Sequence, residues 1–380
     1  MQQLATVLLM LAVAGTASAQ QDWRLEAASA RVTHFGQEGR GVQSQADVRR
    51  DADGVPRGSE RIDVAQPAMR LEVQQSRRAR HVVDLLVDVV SAASADALDA
   101  VSRASLWNEA VTLGIETQVD ATEDDHLQLR YGMHLEEPLK GGFGGLGYRR
   151  DLAQDNATVE LRFDFRIDAF DPLTIQGADL GFVRRRTILG SIAATQLLSP
   201  TTVASASYGV THQFGVLEQT WNSVPIAGTD RRIGERFPGR RTRHALTAGL
   251  KHHIAHTRST LGLHYRFYAD DFGLRAHSAS VTAAQWLHRM AFVRVGYRVH
   301  QQNGVDFWTN GAPPDAIFIG QPRTSDSDLA RFVAHEWTAK LVFFTKREAD
   351  LTEHFYLSVG RYWRPRLRVT ITAAGYERRF

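Results

Sequence analysis

The chain has 380 residues, of which 45 are lysine or arginine and 42 are aspartate or glutamate, giving a formal net charge of +3 at pH 7. No cysteine is present, so neither disulfides nor thiolate metal ligands contribute to the fold. The charged residues are spread along the chain without a polybasic arm, which argues against nucleic acid as a partner.

The first residues have the organisation of an export signal. The apolar run Leu4–Ala14 is followed by Ala17 and Ala19 at A-x-A spacing, the pattern of a cleaved secretory signal. The run is too short for a membrane-spanning helix, which needs about 20 apolar residues. We therefore expect residues 1–19 to be a cleaved signal peptide and residues 20–380 to form a single domain outside the cytoplasm.

Strict alternation of apolar and polar residues recurs throughout the mature chain. In "ATVELRFDFRID" (157–168), apolar residues occupy the odd positions from Val159 to Ile167 and charged residues the even ones. Period two is typical of a β-strand, whose successive side chains point to opposite faces of the sheet. Four other segments show the same division clearly: 110–120, 126–135, 260–268 and 291–300.

Weaker alternation marks the remaining strand candidates. With the five clear strands they make an even total of about sixteen, within a range of 12–16, as expected of an antiparallel outer-membrane barrel. The weaker candidates are 24–35, 61–74, 79–90, 144–151, 183–197, 200–213, 241–255, 274–287, 326–344, 352–362 and 366–380.

The predicted connections alternate in length along the chain. Short ones such as "QSRR", "TEDD" and "AQDN" separate long ones, as in a barrel with short periplasmic turns and longer extracellular loops. A soluble sandwich has no reason to show this alternation. The long connections are 36–60, 91–105, 136–143, 169–182, 215–240 and 303–325.

Alternating strands fit two kinds of barrel. In a soluble protein the apolar face is inside, whereas in a transmembrane barrel it faces lipid and the charged face lines the lumen. The export signal and the connection lengths favour an all-β fold, a single antiparallel transmembrane barrel of the outer membrane. The predicted lumen-lining residues are Glu160, Arg162, Asp164, Arg166, Asp168, His264, Arg266, Arg294, Arg298 and His300.

Two arrangements of these lumen charges remain open. They could pair across the wall as structural ion pairs in a narrow or plugged interior, or they could line an aqueous path. A positive wall that faces a negative wall would favour a channel.

Aromatic residues near the predicted strand ends indicate interfacial girdles. They are Trp107, Tyr268, Phe307, Trp308, Tyr362 and Trp363.

The segment 366–380 predicts the closing strand. Its apolar residues change face between Ile371 and Tyr376, so we expect a bulge near Gly375. The chain ends on Phe380, as many outer-membrane strands do, and we expect the barrel-assembly machinery to bind this strand.

Candidate catalytic and metal-binding residues are few. His277 and Ser278 are adjacent and point to opposite faces of a strand, which disfavours a serine and histidine pair for a lipid hydrolase. His252 and His253 also point oppositely, so they do not chelate one ion from a regular strand. The segment "GGFGGLG" (141–147) follows no strand-to-helix transition and predicts a loop leading into the strand candidate 144–151 rather than a phosphate site. We expect no enzyme activity, metal or cofactor.

Several motifs stand in order over roughly residues 80–345, and such a series is far more specific than a single motif. They are "DVVSAASADALDAVSRAS" (88–105), "YRFYADDFGLRAHS" (265–278), "YRVHQQNGVDFW" (297–308) and "RTSDSDLARF" (323–332). This series resembles a bacterial family known as domain of unknown function 3570. The resemblance implies an outer-membrane-type barrel without an established activity. The motif residues are Ser94, Asp96, Tyr265, Arg266, Asp270, Asp271, Arg323, Thr324, Ser325 and Asp326.

These features predict a barrel of the bacterial outer membrane that transports a small solute. The family resemblance also implies a link to a periplasmic redox system, as a partner and not as a catalytic site in this chain. One alternative is a non-conducting structural or assembly barrel that docks a periplasmic partner through its short turns. An outer-membrane lipid hydrolase is the third hypothesis.

Lipid is the other expected partner. Lipopolysaccharide phosphates would bind arginines of the ninth connection. These arginines are Arg231, Arg232, Arg236, Arg240 and Arg241.

Overall fold

Every segment with the alternating pattern forms a strand in the computed structural model, which describes residues 23–39, 62–92, 107–136, 139–171, 178–218, 222–229, 231–316, 320–348 and 351–380. The predicted signal segment lies outside the described residues, as do Ser94 and Asp96. In chain order the strands are β1 (Arg24–Gly39), β2 (Ile62–Ser76), β3 (Ala79–Ala92), β4 (Trp107–Asp120), β5 (Asp125–Glu136), β6 (Leu139–Leu152), β7 (Ala157–Phe170), β8 (Val183–Ser199), β9 (Thr202–Gly215), β10 (Ser223–Pro225), β11 (Arg232–Gly234), β12 (Arg240–Ile254), β13 (Ser259–Asp270), β14 (Arg275–His288), β15 (Ala291–Gln302), β16 (Phe332–Arg347), β17 (Thr352–Arg364) and β18 (Leu367–Arg379).

Sixteen of these strands form one closed barrel, while β10 and β11 pair in a separate hairpin. All neighbours are antiparallel, and β1 closes the barrel on β18 from the pair Ala27 and Arg379 to the pair Gly39 and Leu367. Closure leaves no sheet edge with unpaired backbone groups. The predicted single antiparallel barrel of about sixteen strands is confirmed. Within the described residues, no helix is long and apolar enough to cross a membrane.

The two faces of the barrel wall differ in chemistry. Asp164 of β7 accepts a hydrogen bond of 2.6 Å from Arg130, two strands away on β5. Side chains from alternate strands converge in this way on the concave face of a closed sheet, so the charged face points inward. On the alternate positions of β7, Phe163 and its apolar neighbours point outward, and Phe163 is 51% exposed. This outward apolar surface is the one that lipid requires.

The glycine-rich segment 141–147 lies within β6. The strand predicted at 144–151 is confirmed, and the prediction of a loop up to residue 143 is wrong. A Cβ on Gly145 would collide with the carboxylate of Asp164, and one on Gly141 would lie 2.5 Å from Asp168 Oδ1. Glycines on the inner face of β6 thus leave the space in which carboxylates of β7 meet arginines. Sequence rules take such glycines as strand breakers, whereas here they admit close approach of neighbouring side chains. Consequently the connection between β5 and β6 is only residues 137–138.

Connections otherwise alternate in length as the sequence predicts. At one end of the barrel, here called the loop end, the connections after β1, β3, β7, β9 and β15 are long. At the opposite turn end, connections such as 77–78, 153–156 and 200–201 contain only a few residues.

The closing strand β18 runs in unbroken register with both β17 and β1. The bulge predicted near Gly375 is therefore wrong. Val369 and Ile371 point into the lumen, where Val369 is buried, while Tyr376 and Phe380 point outward. The alternation changes because the lumen face of β18 is apolar near the loop end, not because the strand slips.

The residues predicted to form aromatic girdles mostly lie elsewhere. Tyr268 and Tyr362 point into the lumen by their register, and Phe307 and Trp308 lie in the connection between β15 and β16. Trp363 points outward, and the side chain of Trp107 is outside the described part of the chain. Most of these aromatic residues therefore face the lumen or lie in a connection at the loop end instead of facing lipid.

An outward row of tyrosine and histidine pairs runs near the loop end instead. In three pairs the tyrosine hydroxyl lies 2.6 to 2.8 Å from histidine Nδ1 on the next strand. Such amphipathic rings suit a boundary between apolar and aqueous surroundings. The pairs are Tyr208 with His244, Tyr265 with His277, and Tyr297 with His335.

Substitution of adjacent residues on β7 tests the assignment of the two faces. Phe163→Arg places a charge on the outward face at the middle of β7, and we expect the free energy of unfolding in bilayers to fall by about 2–4 kcal/mol. Arg162→Ala removes a half-buried inward ion pair at 3.6 Å and should cost about 1 kcal/mol or less. Urea unfolding and heat-modifiable gel migration measure both. Equal tolerance of the two substitutions would contradict the assignment.

Candidate functional site

Strands β2 to β7 line the lumen with carboxylates, and we call this surface the acidic wall. Its inward acidic residues are Glu72, Asp84, Asp88, Glu116, Asp120, Glu136, Asp151, Glu160, Asp164 and Asp168. Five inward arginines of these strands form ion pairs within the wall, at 2.6 to 3.6 Å: Arg70 with Asp84, Arg130 with Asp164, Arg149 with Asp151, Arg162 with Glu160, and Arg166 with Asp168. The sixth, Arg80, donates to Gln118 Oε1 at 3.0 Å.

Asp168 is the most buried member of the acidic wall. It is 2% exposed and accepts hydrogen bonds from Arg166 at 2.6 Å and from Arg185 at 3.3 Å. Two guanidinium groups on one carboxylate satisfy its buried oxygens. The ion pair joins β7 to β8, at the edge of the acidic wall.

Strands β12 to β16 carry a surface of the opposite sign, which we call the basic wall. It consists of five inward cations: Arg243, Lys251, Arg266, Arg294 and Lys340. None of them forms an ion pair with a carboxylate of the described residues. Arg241 with Asp270 at 2.5 Å, and Arg298 with Glu336, are the ion pairs formed between the inward residues of these strands.

The two walls face each other across the lumen. In a circuit of sixteen strands, β5 stands half a circuit from β15, and β4 stands half a circuit from β14. Paired charges with surplus carboxylates therefore lie opposite unpaired cations. The lumen is polarised from one side to the other.

All ten predicted lumen residues point inward by their strand register. Glu160, Arg162, Asp164, Arg166 and Asp168 belong to the acidic wall, whereas His264, Arg266, Arg294, Arg298 and His300 lie on the opposite side. Sequence reasoning missed Arg243, Lys251 and Lys340. Alanine on both faces of β12 and β16 obscures which side of those strands is apolar.

A folded cap covers the loop end on the side of the basic wall. It consists of residues 222–239, between β9 and β12, and 303–331, between β15 and β16, as far as these are described. The two segments join through bridges between Ile226 and Ala312 and between Arg236 and Arg323. The apolar cluster beneath them contains Phe237, Phe272, Leu274, Val305, Phe307 and Leu329.

Inward side chains of the barrel wall anchor the cap. Gln302 Nε2 donates to the carbonyls of Asp328 at 2.8 Å and Ala330 at 2.7 Å. Arg364 donates to Ser327 O and Oγ, both at 3.0 Å, and forms an ion pair with Asp328. These bonds connect β15 and β17 to the same short stretch of the cap.

The amide of Gln302 also orients a serine and histidine pair. Because its Nε2 donates to the cap, its Oε1 accepts from His300 Nε2 at 3.1 Å, and His300 Nδ1 accepts from Ser278 Oγ at 2.8 Å. His277 points outward and contacts the hydroxyl of Tyr265. Ser278 and His277 thus lie on opposite faces of β14, and the Ser278 and His300 pair lies in the lumen, away from lipid.

Most of the family-motif residues build the cap and its support. Asp270 accepts hydrogen bonds from Arg241, Tyr268 and two backbone amides, and Asp271 accepts from the backbone of Thr242. Two of the cap residues bond to the other cap segment: Arg323 donates to Gly234 O, and Thr324 donates to Glu235. The remaining bonds stay within residues 303–331. Arg323 also donates to Ala316 O, Ser325 donates to Thr309 O, and Asp326 accepts from the Asp328 amide. Tyr265 and Arg266 lie on the outward and inward faces of β13.

The buried carboxyl group of Glu235 links the two cap segments. Glu235 is 8% exposed and accepts from the hydroxyl of Thr324. Burial raises the pKa of Glu235 to about 7, and burial also raises the pKa of Asp326. The cap is therefore most stable while Glu235 keeps its proton.

The arginines of the ninth connection have different surroundings. Arg241 points into the lumen, Arg232 donates to Ser223 Oγ at 2.6 Å, and Arg236 takes part in the cap bridge. Arg231, Arg236 and Arg240 are exposed.

A cavity of about 420 Å³ opens beside the acidic wall. Gln66, Asp88 and Glu136 give it a polar side, and Thr33, Phe35, Val64, Ala110 and Ile371 line the rest. In the described parts of the chain, no group of three histidine or acidic side chains is placed to hold a metal ion.

The closed sheet, its outward apolar surface and its charged lumen define an outer-membrane-type β-barrel. Residues 167–335 match the model of the family described as "Protein of unknown function (DUF3570)". The resemblance shown by the motifs at 265–278, 297–308 and 323–332 is thereby confirmed, while the segment 88–105 lies outside the match. No curated protein matches the chain in sequence.

Solved structures similar to the chain include several barrels. A "Bacterial polysaccharide outer membrane secretin" has 7% identity and a TM-score of 0.49, with 93% of this chain and 98% of that chain covered. OccK9 (OpdG) of Pseudomonas aeruginosa has 10% identity and a TM-score of 0.44, with 94% and 98% covered. OccK1 (OpdK) of the same organism has 9% identity and a TM-score of 0.41, with 92% and 98% covered.

Protonation of Glu235 predicts a pH dependence of the cap. Between pH 4.5 and about 7, the undocked cap releases a proton that the docked cap keeps, so docking weakens as pH rises, by on the order of 3 kcal/mol in total. Hydrogen exchange of residues 222–237, corrected for intrinsic rates, should show protection falling from pH 5 to pH 8. Glu235→Gln should lose most of this dependence, and an unchanged pH profile in the variant would contradict the assignment.

Removal of a cap anchor should loosen the cap without unfolding the barrel. Arg364→Ala removes charged hydrogen bonds to Ser327 and Asp328, worth about 1.5–3 kcal/mol. We expect proteases added at the loop end to cleave residues 303–331 several times faster. Arg361→Ala, on the outward face of the same strand, is the matched control. Equal cleavage rates in the two variants would show that Arg364 does not anchor the cap.

Proposed function

We propose that the protein is an outer-membrane channel through which a small hydrophilic solute crosses the barrel lumen. The observation that carries this proposal is the unpaired basic wall opposite the acidic wall. Ionised groups without partners are costly in a dry interior. Five cations without carboxylate partners therefore favour a lumen filled with water over a salt-bridged plug.

The cap would narrow such a channel without closing the whole lumen. Its anchors are on β15 and β17, whereas the 420 Å³ cavity lies along the acidic wall. A solute entering from the loop end would pass between the cap and the acidic wall. In this account the cap restricts the size of the solute and the two walls restrict its charge.

The proposal includes export and assembly. Residues 1–19 would direct the chain across the inner membrane and be cleaved, and the strand ending at Phe380 would be bound by the barrel-assembly machinery. Residues 20–380 would then form one domain in the bacterial outer membrane. Arg231, Arg236 and Arg240 are exposed arginines of the ninth connection that would be available for lipopolysaccharide phosphates.

The solute would serve a periplasmic system. The family resemblance favours a redox system that receives its substrate through the barrel, with no catalytic residue or cofactor supplied by this chain.

Single-channel recording in planar bilayers tests the proposed function. Refolded protein, checked by heat-modifiable migration, should produce stepwise currents in potassium chloride. Arg364→Ala, with its loosened cap, should conduct more than Arg361→Ala. The absence of current from the wild-type protein and from both variants would contradict the proposed channel and favour the non-conducting assembly barrel.

A further inference from the structure

Two cations of the basic wall are direct neighbours across a strand pair. Arg294 of β15 and Lys340 of β16 are register partners, and like charges directly opposite each other destabilise a sheet. Aromatic rings hold both groups in place: Lys340 Nζ lies 3.7 Å from the ring centroid of Tyr356, and the Arg294 guanidinium lies 5.9 Å from that of Phe292. A ring attracts a cation but leaves its charge uncompensated.

A third cation faces the same part of the lumen. Arg31 of β1 points inward opposite Gly375, whose other register partner is Tyr356, the residue whose ring Lys340 contacts. Arg31 also lies within electrostatic range of Lys340. None of the three cations forms an ion pair with a described carboxylate.

The nearest carboxylates already have partners. Glu336 pairs with Arg298. Glu377 contacts Arg379 at 3.2 Å and His354 at 3.9 Å. Three cations therefore share this part of the lumen with one carboxylate in electrostatic range, Glu377, which Arg379 and His354 already contact.

Such a group of cations lacks a counter-charge that an oxyanion would supply. Guanidinium binds planar carboxylate or tetrahedral phosphate oxygens through paired hydrogen bonds, and an ammonium adds a point charge. We propose that Arg294, Lys340 and Arg31 form a binding site for small oxyanions in the lumen. The inference rests on the proposed function and names its solute class: small molecules that bear a carboxylate or phosphate group.

The other cations of the basic wall lie above and below this site along the lumen. Arg243 and Arg266 lie toward the loop end of β12 and β13, beside the cap, while Lys251 lies toward the turn end. An anion passing the cap would meet Arg243 and Arg266 before it reaches Arg294 and Lys340. Along this route the acidic wall repels the anion from the opposite side.

Binding and selectivity are measured separately. Calorimetry with inorganic phosphate and with acetate on refolded protein measures the site itself. Reversal potentials in a potassium chloride gradient measure whether anions are preferred, and added phosphate should reduce the current by occupying the site. The calorimetric arm does not require conduction, so a wild-type protein that binds phosphate but carries no current would contradict the proposed function and support the site.

The decisive variant is Arg294→Gln with Lys340→Gln. We expect phosphate and acetate affinity to fall about tenfold or more, as for the loss of charged hydrogen bonds, and the anion preference to fall with it. Arg130→Gln with Arg162→Gln changes the net charge equally on the acidic wall, and it should keep both properties. Arg294→Lys keeps the charge and should keep most of the affinity if the variants fold equally by gel migration.

Three results would overturn the site. They are the absence of phosphate and acetate binding in the wild type, equal losses in the two double variants, and a wild-type channel that prefers cations. Equal losses would mean that the total charge of the lumen, and not this group of residues, determines anion binding and anion preference.

Discussion

Satisfaction of backbone hydrogen bonds is the constraint on which the rest of this structure depends. A chain that lies in lipid has no water to bond its amides and carbonyls, so its strands must pair until no edge remains. The contact of β1 with β18 completes that circuit. Once the sheet is closed, alternate residues are forced onto two faces, one for lipid and one for the lumen. The strict alternation in "ATVELRFDFRID" is the consequence in sequence.

The lumen then has to accommodate the charges that alternation places inside it. On the acidic wall the chain does so with ion pairs, and the inner glycines of β6 leave room for Arg130 and Asp164 to meet across that strand. On the basic wall, by contrast, cations stand without carboxylate partners. Water or an anion must compensate them, and this asymmetry connects the packing of the barrel to the proposed passage of small oxyanions.

Much of the barrel is predictable from the sequence, because a two-residue period and a long and short alternation of connections are local signals. The inward positions of Glu160 to Asp168 follow directly from that period. The strand assignment of 139–143, the cap and the basic-wall residues Lys251 and Lys340 do not. Glycine in β6 serves a contact from two strands away, and the cap depends on pairing between segments distant in sequence, such as Arg236 with Arg323. No local pattern encodes such contacts.

A water-filled, charged lumen behind an apolar outer surface is the central claim. Because the chain contains no cysteine, single cysteines report directly on it. Thr338 points inward and Ala339 outward on β16. In protein embedded in vesicles, a membrane-impermeant, negatively charged thiol reagent should modify Thr338→Cys rapidly and Ala339→Cys hardly at all. Modification of Ala339→Cys with protection of Thr338→Cys would contradict the account.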